Sequence, residues 1–150
     1  MRNLGSLHQF LGITAEQTPS GLLLHQTKYA ESILERAGMT NCKPLASPAH
    51  PKHNNSIETK SFSNPTLYRQ LVGALQYLTL TRPDIAFAVN RASQAMHNPT
   101  EHQFSVLKRI LRYIRGTIRH GLPLSDNSLT LTSYSDSDWA GDQQDRKSTT

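Results

Sequence analysis

Three apolar stripes at helical spacing, each opened by a proline, dominate residues 66–119 and restrict the chain to folds with a helical middle. Asn64 precedes Pro65, a favoured first helical residue, and Leu67, Leu71, Leu75 and Leu78 follow at spacings of 4, 4 and 3. Pro83 begins a second helix after Thr81-Arg82, with Ile85, Val89, Ala92 and Met96 on one face. Asn98-Pro99 repeats the start signal, and Phe104, Leu107, Leu111 and Ile114 make the third stripe, with Gly116 near its end.

On either side the period changes. Residues 1–39 alternate around Phe10-Leu11-Gly12-Ile13-Thr14, carry a turn signal at Thr18-Pro19-Ser20-Gly21, and continue as Leu22-Leu23-Leu24-His25. This predicts a β-hairpin with a four- or five-residue loop. A helix follows, capped by Gln26 or Thr27, with Tyr29, Ile33, Leu34 and Ala37 on its apolar face and Gly38 as its stop. A hairpin and one helix cannot close a core alone. Residues 40–65 hold Pro44, Pro48, Pro51 and Pro65 with few large apolar side chains, and read as an extended linker. In residues 121–150, Leu129, Leu131 and Ser133 alternate with Thr130, Thr132 and Tyr134 as in a strand. The chain then stops at Thr150 with no sheet for that strand to join, so this end reads as cut. The expected class is α+β: an N-terminal hairpin and helix, three central helices and a truncated C-terminal strand.

Charge separates two further surfaces. Sixteen Lys and Arg stand against eleven Asp and Glu, a net +5. No acid lies between Glu101 and Asp126, whereas Asp126, Asp136, Asp138, Asp142 and Asp145 follow with no base among them. Lys108, Arg112, Arg115 and Arg119, spaced 4, 3 and 4 apart, share one side of the third helix, with Tyr113 nearby. Such a row is the footprint expected for nucleic-acid backbone contacts; the alternative is a solvated cationic face. Asp136 and Asp138, two apart on a strand, project to one face and form a pair able to hold Mg²⁺, or an ordinary surface turn.

Other signals carry less. His50 and His53 sit in the Pro-rich stretch without a Cys or acidic partner and read as solvated histidines. Cys42 is the sole cysteine, which excludes an internal disulfide and a cysteine-rich zinc site. Asn54-Asn55-Ser56 fits the glycosylation pattern, but no secretory leader is visible and the longest apolar run, Ile85 to Val89, is far too short to span a membrane. An intracellular location is the expectation. Arg109-Ile110-Leu111-Arg112 spells the Arg-x-Leu-Arg string of translocated oomycete effectors, but mid-helix with Leu111 on the buried stripe it reads as coincidence.

Co-linear strings along the whole chain resemble the reverse-transcriptase region of copia-type retrotransposon polyproteins, of the kind common in plants. They are Leu4-Gly5-Ser6-Leu7-His8-Gln9-Phe10-Leu11-Gly12-Ile13, Gln26-Thr27-Lys28-Tyr29 and Cys42-Lys43-Pro44. Tyr68-Arg69-Gln70-Leu71-Val72-Gly73-Ala74-Leu75-Gln76-Tyr77-Leu78, Thr81-Arg82-Pro83-Asp84-Ile85-Ala86 and Lys108-Arg109-Ile110-Leu111-Arg112-Tyr113-Ile114-Arg115-Gly116-Thr117 continue the match. Tyr134-Ser135-Asp136-Ser137-Asp138-Trp139-Ala140-Gly141-Asp142 and Asp145-Arg146-Lys147-Ser148-Thr149 complete it.

The resemblance implies that residues 1–39 are the end of the polymerase palm and the start of a thumb, 40–65 a linker, 66–120 a helical connection and 121–150 the opening of RNase H. It places Asp136 at the first metal-binding carboxylate of RNase H, with Mg²⁺ as the family's cofactor and an RNA–DNA hybrid as its substrate. Asp138 receives no catalytic role. The family's Tyr-Val-Asp-Asp polymerase signature would lie upstream of Leu4, and the other RNase H carboxylates beyond Thr150. The expectation is therefore a reverse transcriptase/RNase H piece without activity by itself. The alternative is a non-enzymatic nucleic-acid-binding or effector-like interaction protein reusing the same segment.

Overall fold

The computed structural model describes residues 8–49 and 60–125, together with Ser133. Four strands and four α-helices lie within them: β1 (Gln9–Phe10), β2 (Ile13–Thr18), β3 (Gly21–His25), α1 (Thr27–Arg36), α2 (Pro65–Leu78), α3 (Ala86–Ser93), α4 (Glu101–Gly116) and β4 (Leu122–Leu124). The strands form one antiparallel sheet in the order β1-β2-β3-β4.

The N-terminal alternation is interrupted where the sequence alone suggests continuity. Leu11 and Gly12 both take positive φ, +47° and +77°, and Phe10 pairs with Ile13, so the two residues form a tight turn between β1 and β2. Paired positive φ values match the twist of a two-residue hairpin, and glycine accepts the second without cost. Leucine at the first is disfavoured, and the Tyr77 hydroxyl holds it by donating to the Leu11 carbonyl. The second hairpin is tighter than expected as well. Thr18 pairs with Gly21, leaving Pro19 and Ser20 as the whole loop, and the Thr18 hydroxyl donates to the Gly21 carbonyl at 3.2 Å.

Helix starts follow their capping chemistry. Asn64 Oδ1 accepts the Leu67 N–H at 3.0 Å, with Pro65 next in the first turn. The Pro83 helix is split: Pro83–Ile85 form a 3-10 turn before α3 begins, and Met96 lies past the α3 end. Nor does α4 begin at Pro99. Thr100 and Gln103 form a reciprocal capping box that sets the start at Glu101, while the Pro99 carbonyl accepts the Phe62 N–H. Gln26 precedes α1 but gives it no side-chain cap; it is buried, and its Oε1 accepts from Thr81 Oγ1.

The core gathers from both sides of the linker. Ala30, Ile33 and Leu34 of α1 join Tyr68, Leu71, Leu75 and Leu78 of α2, Val89 of α3, and Leu107, Ile110, Leu111 and Ile114 of α4 in one cluster. Burying such side chains stabilises by roughly 1.5–3 kcal/mol each before the entropy of ordering is set against it. Tyr68 is fully enclosed, its hydroxyl donates to the Ala92 carbonyl at 2.8 Å, and burial pushes its pKa up to about 12.

β4 was not legible as a strand, since Pro123 lies at its centre; proline is tolerated there because β4 is an edge of the described sheet. The strand expected at Leu129 to Ser133 falls, apart from Ser133, outside the described residues. β4 docks because Gly121 has no side chain: a Cβ there would overlap the Leu24 carbonyl oxygen and crowd His25 Cβ. Gly121→Ala is therefore expected to strip β4 from β3. Hydrogen exchange should show the Leu122 and Leu124 amides losing protection while the helical core melts unchanged; retained protection would refute the docking.

Among the described residues no helix is long and apolar enough to cross a membrane.

Candidate nucleic-acid interface

The buried stripe of α4 orients everything else on that helix. With Leu107, Ile110, Leu111 and Ile114 turned to the core, Lys108, Arg109, Arg112 and Arg115 are directed outward or to the flank. Arg115 in the last turn and Glu101 in the first complement the helix dipole.

The outward face is not bare. Residues 40–49 run along α4 in the opposite direction, and the arginines hold them by their main chain. Arg115 Nε donates to the Thr40 carbonyl at 2.7 Å, Arg112 Nε to Lys43 at 2.7 Å and Arg109 Nε to Ala49 at 3.2 Å. The Leu45 N–H donates back to the Arg112 carbonyl at 3.3 Å. Gly116 lets this strap approach, since a Cβ there would stand 3.0 Å from Pro44 Cβ. The far side of the linker is docked too: Phe62 stacks on Phe104 with centroids 4.0 Å apart, and Lys108 Nζ lies 5.2 Å above the Phe104 ring.

These contacts leave the charges standing. A carbonyl accepts a hydrogen bond but neutralises nothing, and among the described residues the carboxylates within ion-pair reach of a base are Glu16, beside His25, and Asp84, beside Arg82. Lys108 and Arg119 are exposed, as is Lys43 on the strap. Lys108, Arg112 and Arg115 lie on α4 at the expected spacing, but Arg119 does not share the helix: α4 ends at Gly116, and Thr117 leaves helical geometry, so the last four-residue step is not a helical one. Arg109 and the strap were missed. A signal existed: an extended Pro-rich run has main-chain carbonyls without partners, and a helix rich in arginine without acids has donors to spare.

Tyr113, expected beside the basic row, works elsewhere. Arg82, only 2% exposed, makes a bidentate pair with Asp84, Nε to Oδ1 at 2.9 Å and Nη2 to Oδ2 at 2.7 Å. Its Nη1 and Nη2 also donate to the carbonyl and hydroxyl of Thr117, just past α4. Tyr113 donates its hydroxyl to Asp84 Oδ2 at 2.8 Å. Burial alone would raise the Asp84 pKa, but hydrogen bonds from Arg82 and Tyr113 and the Arg82 charge outweigh it and hold the carboxyl below its ordinary value. Burial, then the bond to Asp84, pushes the Tyr113 hydroxyl up. The cluster ties the α2–α3 junction to the end of α4.

Asp136, Asp138, His50, His53 and Asn54 lie outside the described residues. Within the described ones, no three His, Cys, Asp or Glu come together to hold a metal, and Cys42 is a free, half-buried thiol. Leu111 of the Arg-x-Leu-Arg string is fully buried.

Comparison with known proteins returns relatives of more than one description, among them transposon polyproteins and a secreted RxLR effector protein of Plasmopara viticola. To the effector it is 44% identical over 84 residues, covering 55% of this chain and 59% of that protein. The chain is 54% identical over 151 residues to an uncharacterized mitochondrial protein of Arabidopsis thaliana, covering all of this chain and 63% of that protein. It is 50% identical over 145 residues, 95% of its length, to the retrovirus-related Pol polyprotein from transposon RE1 of the same plant. It is also 39% identical over 160 residues, covering its whole length, to the corresponding polyprotein from transposon TNT 1-94 of Nicotiana tabacum. It spans 10% and 12% of those two polyproteins. No family model matches the chain, and no solved structure matches it.

Proposed function

We propose that the chain is part of a retrovirus-related Pol polyprotein of the copia type, to two of which it is 50% and 39% identical: the C-terminal part of the reverse transcriptase running into RNase H, whose helical body grips the phosphate backbone of an RNA–DNA hybrid. The observation that carries the reading is the cation row of α4, extended by Lys43, with no carboxylate in reach among the described residues. A row of this kind releases counterions from a polyanion, which is the main source of affinity in backbone recognition. In this reading residues 26–39 are thumb and 66–120 connection within an α+β architecture. Asp136 is the RNase H carboxylate that would hold Mg²⁺, whose chemistry is water activation against the RNA strand.

The test separates charge from folding. Lys108 and Arg119 are exposed and neither bonds the strap among the described residues. Binding of a short hybrid should weaken steeply with salt, at about 0.9 units of log–log slope per phosphate contacted. Lys108→Glu with Arg119→Glu should flatten that slope by about 2 units and cost no more stability than the Lys108–Phe104 contact, about 0.5–1 kcal/mol. An unaltered slope would remove these residues from the interface, and salt-independent binding would end the proposal.

A further inference from the structure

We infer that residues 40–49 are a working part of the phosphate-binding surface, where their main-chain carbonyls preorganise Arg109, Arg112 and Arg115. The inference rests on the hybrid-binding reading and deepens it.

Three features of the contact support it. The first is register: as α4 proceeds through 109, 112 and 115, the strap returns through 49, 43 and 40, so each guanidinium has its own acceptor. The six-residue interval spans about 9 Å of helix, a row rather than a point.

The second is which nitrogen is used. In all three arginines the donor is Nε. A guanidinium is a rigid planar fork with two edges able to bind two oxygens at once. Occupying Nε takes part of the side edge and leaves the end edge, Nη1 with Nη2, for a phosphate. The bond to phosphate is charge-assisted and roughly twice as strong as one to a neutral acceptor. Strap and phosphate thus use different atoms of the same group.

The third is that the strap is itself fixed. Pro44 lies over Gly116, and the Leu45 N–H is bonded to the α4 backbone. Pro44 and Pro48 restrict its conformations. A free arginine loses much rotamer freedom on binding, whereas one held at Nε has lost it on folding, and preorganised groups bind more tightly for that reason. Lys43, whose carbonyl accepts from Arg112, is exposed on the strap and adds a further charge to this segment.

Two changes to the 150-residue chain test this, with affinity for a short RNA–DNA hybrid and exchange of the Leu45 amide as readouts. Replacing Arg109, Arg112 and Arg115 together by Lys keeps every charge but removes the Nε donors. Gly116→Val keeps every arginine but pushes Pro44 away. Each should accelerate Leu45 exchange and weaken hybrid binding about tenfold with the salt slope unchanged. Loss with the lysines alone, Gly116→Val binding normally despite a freed Leu45 amide, would overturn the strap's role. Unchanged affinity in both, with wild type binding, would overturn it too and spare the hybrid reading. Wild type that fails to bind hybrid would overturn both.

Discussion

Asp84→Asn is expected to destabilise the helical body by about 3 kcal/mol, the lower end of what breaking a buried ion pair costs. Arg82 is the reason for the size: at 2% exposure it would keep its charge with no carboxylate beside it, held by Thr117 and the face of Tyr113. The figure stays low in the range because the Asp84 side chain is 37% exposed and water reaches the site. Tyr113→Phe removes one hydrogen bond and leaves the pair, so it should cost about 1 kcal/mol. Denaturant midpoints measure both, and equal effects would mean that the ion pair is not what holds the junction.

The same exchange has a pH signature of known sign. The folded-state pKa of Asp84 is depressed, so its contribution is complete above the ordinary carboxylate value and is lost as pH falls through the folded one. Wild type should lose this stability on acidification below about pH 4, and the gap to Asp84→Asn should narrow there. A gap that stays constant into strong acid would mean that Asp84 is not depressed in the folded state.

Ile33→Ala is expected to cost about 2–5 kcal/mol, the range for emptying a fully enclosed aliphatic site. The location makes the result informative. Ile33 lies on α1, before the Pro-rich linker, yet the core cluster it belongs to is completed by α2, α3 and α4. Unfolding followed by amides of α4 and by amides of α1 should shift together. If only α1 amides respond, α1 is a separate unit, and the shared core is refuted.

What could be read from the sequence divides by the range of the interaction. Asn64-Pro65 and the leucine stripe of α2 are local, set by capping and by the 3.6-residue period, and they locate that helix. Start points set by competing local signals were less legible: Pro99 offers a helix start, but the reciprocal Thr100–Gln103 box is the stronger fixture one residue on. Non-local contacts were legible only as spare donors on one segment and spare acceptors on another, without their pairing. Nothing in the composition of residues 40–49 names α4 as their support, since the contacts use main-chain carbonyls, which every residue has. Arg82 and Asp84 stood in plain view as a string, but their closure on Thr117, 35 residues away, needs the packed helices first.

The pairing of β4 with β3 gives the molecule a load path. Between His25 and Leu122 lie about a hundred residues, including every helix among the described residues, while β3 and β4 are adjacent strands. Measured across the strands, Gln9 in β1 and Leu124 in β4 are three strand spacings apart in one sheet, about 14 Å, and they are offset by three residues along β3. Tension applied at those two points is carried across the sheet by its hydrogen bonds and bypasses the helices until an edge strand peels away. A segment built this way transmits force between the chain on its two sides while its helical body stays slack, and the short rows at its two loaded edges, β1 on β2 and β4 on β3, are where it would first give.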